Sequence, residues 1–267
     1  MLDRTTDAVA PVEISLRGGD LCDAFARTRH AICKEQTRYY LAGVYIHPAP
    51  DGKTLNFVAT DGHRLAHVRV PITPTVAITP VLVAADFVSG ALKLLSRKSH
   101  HLLSAKLTLS PMAVSLVDWR GERIETEPVD CTYPDYARAV PYDPPVRACI
   151  VLHELVAALE PIAGFLKPTN QRAIKLAVAG ETLTLSATIK ESYPYDVAAT
   201  AQSVVRLAQP AELYETGFNA EYLLEALKTF GRNRSAAIVS ICSHDLGSPH
   251  VIACDSHETY VLMPMRV

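Results

Sequence analysis

Asp61, His63 and Arg64 lie within four positions of the stretch FVATDGHRLAHV (57–68), around Gly62. A carboxylate, an imidazole and a guanidinium are groups that move protons and stabilise charge, so acid–base or nucleophilic catalysis is the first chemistry to test. The spacing argues against it. An Asp and a His two positions apart in a turn do not point at one another, and no serine or cysteine motif partners them. Two such residues also supply too few ligands for a metal. A glycine between polar residues after an apolar run instead predicts a tight turn. What that turn does depends on the surface it faces.

Other reactive residues assemble no better. Cys242, His244, His250 and Cys254 match no standard zinc spacing, and a surface hairpin explains them. His100 and His101 adjoin a basic turn and call for no metal. There is no G-x-x-x-x-G-K-[ST] loop, so ATP hydrolysis is not expected. The sequence reads as that of a non-enzyme without a cofactor.

The elements that must position these residues are visible as periodicities. DLCDAFARTRHAI (20–32), VAADFVSGALKLL (83–95), LHELVAALEPIAGFL (152–166) and FNAEYLLEALKTF (218–230) place apolar residues at intervals of three and four, predicting four amphipathic helices. The second and fourth are alike, each ending in an Ala-Leu-Lys run. The helices recur about every 65 residues, the regularity of an internal repeat. Between them YYLAGVYIH, LNFVAT, KLTLS, AVSLVDW, IKLAVAG, TLTLSAT, AAIVSIC, HVIACD and TYVLMPM alternate or run apolar, predicting strands. PDGK (50–53) and AGET (179–182) read as hairpin turns. Strands follow strands without helices between them, so the class is α+β with antiparallel sheets. Pro161 is expected to kink or split the third helix.

Prolines at 134, 141, 144 and 145 break regular structure near the midpoint, with two helix-plus-strand units on each side. The expected organisation is a tail over 1–11 and two similar domains over 12–140 and 141–267. The 267 residues suffice for two cores. With 49% hydrophobic and 20% charged residues, the composition is that of a globular chain. The formal charge of −2 argues mildly against nucleic acid unless the bases gather on one face. The N-terminus does not read as an export signal and no apolar run is long enough to span a bilayer. The scattered cysteines read as reduced. A cytoplasmic protein with no membrane partner is expected.

Five stretches, in this order, resemble the bacterial sliding clamp, the beta subunit of DNA polymerase III: TRYYLAGVYIH (37–47), VATDGHRLA (58–66), YPDYARAVP (133–141), GFNAEYLLEAL (217–227) and YVLMPMRV (260–267). The match spans 12–267 and corresponds to the family's second and third domains, with nothing resembling its first. The resemblance implies the DNA-clamp fold and a ring around double-stranded DNA, sequence-independent, that tethers DNA polymerase and other clamp-binding proteins. Six domains close the family's ring, which two-domain protomers would reach as a homotrimer, opened by a separate clamp loader or through a weak interface. The alternative is a monomeric module that recruits or sequesters clamp-binding proteins without encircling DNA.

In the family, the Gly62 turn lines a pocket for a short linear peptide. The matching positions are Leu41, Thr60, Gly62, His63, Arg64, Leu65, Pro134, Arg138, Asn219, Tyr222, Val261, Leu262, Met263, Pro264, Met265 and Arg266. Aliphatic and flexible Met walls with a few polar groups suit apolar peptide anchors. The alternative for VLMPM is an ordinary core strand, although a Pro-containing strand belongs at an edge. Ala139 and Gln171 depart from the family's larger aliphatic and its aromatic, so partner preference is expected to differ.

The resemblance also places the helices on the DNA side. Arg27, Arg29, Lys34, Lys93, Arg97, Lys98, Lys228, Arg232 and Arg234 are candidate phosphate contacts, which give salt-sensitive attraction without base readout. The alternative for any one of them is a solvated helix face. Tyr39 and Tyr40 match a loop near the DNA, where bases can stack, or pack in the core. The third helix carries Glu154 and Glu160 and has little positive charge before Lys167. Phe165 and Leu166, at its end, match apolar residues that seal the family's protomer interface; the alternative is packing within their own domain.

Overall fold

The computed structural model describes residues 10–73, 78–95, 102–191, 197–230, 236–254 and 257–267. Its elements run β1 (Val12–Arg17), α1 (Gly18–Thr28), β2 (Gly43–Pro48), β3 (Thr54–Thr60), β4 (Arg64–Pro71), β5 (Val81–Ala84), α2 (Ala85–Leu95), β6 (Ser104–Leu109), β7 (Val114–Val117) and β8 (Arg123–Thr126). After the proline-rich stretch come β9 (Val146–Val151), α3 (Leu152–Leu166), β10 (Ala173–Glu191), β11 (Val197–Asn219), α4 (Ala220–Phe230), β12 (Ile238–Cys242), β13 (His250–Ala253) and β14 (Glu258–Leu262). Each of these four α-helices continues directly from a strand, and the starts at 18, 85, 152 and 220 are almost evenly spaced. The repeat is therefore structural.

A strand that becomes a helix without a loop leaves little room for a side-chain cap, and the first helical amides need partners. Backbone from elsewhere supplies them. Gly18 N–H donates to Leu103 O, Leu152 N–H to Ala237 O and Ala220 N–H to Arg172 O, each at 2.8 Å. In α4 the Asn219 carboxamide oxygen also accepts from Glu221 N–H at 3.0 Å and Tyr222 N–H at 3.3 Å, an N-cap.

By contacts the chain forms two units, 1–62 with 66–134, and 63–65 with 135–267. The division after Pro134 falls a few residues before the expected boundary at Val140, and His63–Leu65 counts with the second unit. The first unit holds two four-strand arrangements, ordered β1-β6-β7-β8 and β5-β2-β3-β4. Its core is built on the buried stripe of α1 (Leu21, Phe25) and α2 (Phe87, Ala91). Phe25 meets Phe57 edge-on at 5.3 Å and Phe87 at 6.2 Å, the offset geometry aromatic rings favour. In the second unit the strands run β10-β11-β9-β12-β13-β14. Leu155, Leu159 and Ile162 of α3 and Leu223, Leu227 and Phe230 of α4 are buried there, and Phe230 meets Tyr260 edge-on at 4.8 Å.

Three sequence expectations are corrected. AGET is not a hairpin turn. IKLAVAG and TLTLSAT form the single strand β10, antiparallel to β11, with register shifts on both sides of Gly180. Before Gly180 the even-numbered Ile174, Leu176 and Val178 are buried; after it the odd-numbered Leu183, Leu185 and Ala187 are. The bulge inverts the strand's parity, so both halves keep an apolar face inward. Pro161 does not split its helix, because α3 runs unbroken from Leu152 to Leu166 and Pro161 lies on the exposed side. YVLMPM is not strand throughout. β14 ends at Leu262, and Pro264, which has no N–H to give, follows in an irregular segment.

Candidate functional site

The Gly62 turn is held from the first unit. Gly62 has φ +88°, a left-handed conformation that glycine adopts without steric cost, and its N–H donates to Thr60 Oγ1 at 3.1 Å. Arg38 donates from Nη1 to Asp61 O at 3.2 Å and its Nε pairs with Glu35 at 3.1 Å. A Cβ on residue 62 would stand 3.1 Å from the same Nη1. Arg38 thus supports the turn, a role that sequence reasoning missed although it sits inside the quoted TRYYL motif. Its only signal was adjacency to Leu41, which is itself buried. Thr60 is half-buried and Pro134 exposed.

In the second unit α4 organises the site. Tyr222 and Glu225 are three apart and so share a helix face. Both engage Arg64, whose guanidinium lies 4.0 Å from the Tyr222 ring centroid and forms an ion pair with Glu225. Arg64 is only 7% exposed, whereas the Glu225 side chain is 42% exposed at the edge of a cavity of about 640 Å³ flanked by α3 and α4. The cation is buried, stacked and neutralised together, which is how a guanidinium tolerates loss of water.

The segment after β14 lies against two backbone anchors. Met263 N–H donates to His63 O at 2.9 Å, and Met265 N–H to Gly217 O at 2.8 Å. Gly217 is required by close approach, since a Cβ there would stand 2.4 Å from Met265 O. Met263 and Met265 are left 43% and 39% exposed, with His63 and Arg266 exposed and Pro264 half-buried. Leu65, Val261 and Leu262 are buried; they back this wall from the core and present little surface of their own. Arg138 is exposed and paired with Asp135 at 3.0 Å. The arrangement can therefore offer a flexible apolar wall with an aromatic ring and exposed polar edges. It brings no nucleophile and base together.

A buried polar cluster elsewhere in the second unit has the residue types of a catalytic site without its access. Tyr214 Oη bonds Ser243 Oγ at 2.8 Å and also His250 Nε2, and Arg147 donates to the carbonyls of Ser243 and His244 at 3.0 and 2.6 Å. Ser243 and His250 are fully buried, and burial pushes the His250 imidazole down to about 4. The cluster ties β12, β13 and β11 together.

The helix cations are unequal. Arg27 is paired with Asp23 at 2.9 Å and its side chain is 14% exposed, while Arg29, Lys34 and Lys93 are exposed. Lys228 pairs with Glu160 at 2.7 Å. Arg97, Lys98, Arg232 and Arg234 lie outside the described residues. Within the four described helices Asp20, Asp23, Asp86, Glu154, Glu160, Glu221 and Glu225 outnumber Arg27, Lys93 and Lys228. Described basic residues instead follow the helices, as Arg29 and Lys34 after α1 and Lys167 and Arg172 after α3; Arg29 and Lys167, directly at the helix ends, are where the helix dipole favours them. Tyr39 is exposed and Tyr40 half-buried, edge-on to each other at 5.9 Å. Leu166 is buried within its own unit and Phe165 is half-buried.

With this geometry in view, comparison with known proteins is specific. The family model for the DNA polymerase III beta subunit, central domain, matches residues 15–135. The beta sliding clamp of Caulobacter vibrioides is 30% identical over 259 residues, covering 95% of this chain and 66% of the relative. That of Proteus mirabilis is 25% identical over 264 residues, covering 98% and 67%. Among solved structures, the Caulobacter crescentus beta sliding clamp superposes with TM-score 0.82 at 28% identity, covering all of this chain and 68% of that one. A Bartonella birtlesii sliding clamp bound to griselimycin superposes with TM-score 0.78 at 26% identity and the same coverage. The chain spans about two thirds of the length of the curated relatives it matches. Sequence and fold agree, and the chain belongs to the bacterial DNA polymerase III beta sliding clamp family.

Proposed function

We propose that this chain is a DNA sliding clamp, a non-enzymatic processivity factor that encircles duplex DNA and docks partner proteins by a linear peptide. Its two units stand for the family's second and third domains. Three copies of a two-unit chain supply the six units of a closed ring. The observation that carries the reading is the match along essentially the whole chain to sliding clamps at TM-score 0.82. The peptide wall is Met263, Met265, Tyr222 and His63, with DNA polymerase among the partners. Arg29, Lys34 and Lys93 supply phosphate contacts, Phe165 adds to the contact between copies, and a separate loader opens the ring. A cytoplasmic location fits this role; among the described residues no helix is long and apolar enough to cross a membrane.

One observation favours the second reading, a monomeric module that recruits or sequesters clamp-binding proteins. The described helices carry more acids than bases, which weakens any hold on phosphate. Light scattering separates the two. The clamp reading expects about three times the protomer mass at micromolar concentration and retention on circular but not short linear DNA. A protomer mass at all accessible concentrations refutes it. The groove is tested with Met263→Ala combined with His63→Ala, expected to abolish binding of a clamp-binding peptide with the oligomer intact; unchanged affinity removes the assignment.

A further inference from the structure

We propose that Glu225 sets the charge preference of the peptide groove, making it accept uncharged anchors and reject or admit carboxylates according to whether Arg64 is neutralised. The inference rests on the groove reading above. Its basis is the arrangement around one cation. Arg64 is 7% exposed, so little water screens its charge, and at short range in such surroundings an unbalanced charge acts strongly on its neighbours. The guanidinium lies 4.0 Å from the centroid of the Tyr222 ring, and that ring is part of the wall a peptide would touch. An uncompensated Arg64 would thus make the wall an attractor of acidic side chains. Glu225, one helical turn beyond Tyr222, cancels that attraction.

Arg38 and Arg138 carry their own acids, Glu35 and Asp135, and Arg266 is exposed. Both are exposed or half-exposed pairs, where water and salt already screen the charge. Of these three pairs, Arg64–Glu225 is the one shielded on the cation's side. Glu225 is therefore a specificity-determining residue that acts through Arg64, and it need not touch the peptide.

The test uses the full chain and two fluorescein-labelled peptides with the same leucine anchors, differing only in one Gln or Glu beside them. Wild type is expected to bind the Gln peptide more tightly. Glu225→Gln should shift the affinity ratio toward the Glu peptide about tenfold, corresponding to ~1.4 kcal/mol. Arg64→Gln should shift it the opposite way, and the double substitution should return it close to wild type. A packing role moves both affinities together and does not reverse sign between the two variants. The proposal is overturned if the ratio stays within twofold in Glu225→Gln, or if both variants shift it in the same direction. If Glu225→Gln fails to fold, the sign of the shift in Arg64→Gln decides. Wild type binding neither peptide overturns the groove reading and this inference with it.

Discussion

Gly217→Ala probes the proposed peptide wall where Met265 approaches most closely. The added Cβ would stand 2.4 Å from Met265 O and 2.5 Å from Val267 Cγ1, roughly 1 Å inside an ordinary contact. The valine methyl can turn away, but the backbone oxygen cannot, so the segment carrying Met263 and Met265 must lift from β11. Lifting loses the Met265 N–H to Gly217 O bond of 2.8 Å, a net cost of about 1 kcal/mol. If the docked segment is the binding-competent state, a loss of about 1–1.4 kcal/mol lowers peptide affinity roughly five- to tenfold. Melting should fall by only a few degrees, because the perturbed bond lies at the surface of a unit well over 100 residues long. Anisotropy titration with a labelled apolar peptide and hydrogen exchange at the Met265 amide read the two effects. An unchanged Kd beside accelerated exchange at Met265 would refute the assignment of the methionines to the wall. An unchanged exchange rate would refute the clash itself.

Two further outcomes follow from charge and burial. Arg29→Ala should weaken DNA retention and reduce the salt slope by about one contact's worth, ~0.9, while Arg27→Ala should change it little because Asp23 already holds that guanidinium; equal effects in a salt titration would refute the distinction. For His250, the folded imidazole titrates at about 4 and the unfolded one near 6.5. Between these values the unfolded state binds more protons, so stability rises with pH and falls on acidification, by up to about 1.4 kcal/mol per pH unit. The urea midpoint should drop from pH 7 to pH 5, and His250→Gln should reduce that drop; an identical drop in the variant would count against the buried neutral imidazole.

The repeat was legible in the chain because each helix must bury one stripe and each strand one face, and those periods survive in the order of residues. The four helices, the α+β class and the proline-rich midpoint followed from that. The identities of Arg64, Tyr222, Asn219 and the methionines were legible through motif resemblance. Their partners were not: Glu225 reads in sequence as an ordinary solvent-facing helix acid, and Arg38 as one more base in a tyrosine-rich stretch. The AGET segment misled for a related reason. Glycine beside polar residues marks a hairpin turn and a bulge alike, and only the pairing of β10 with β11 distinguishes them.

Local order in the chain determines which residues can be helix, strand or turn, since those choices rest on steric preferences and on periodic burial within a few neighbours. It could not decide which charges remain available. That depends on contacts between residues far apart in sequence, as when Arg64 meets Glu225 on α4 and its charge is balanced there. Burial and pairing are properties of the folded surroundings, and they alone convert a charged residue into a neutral site.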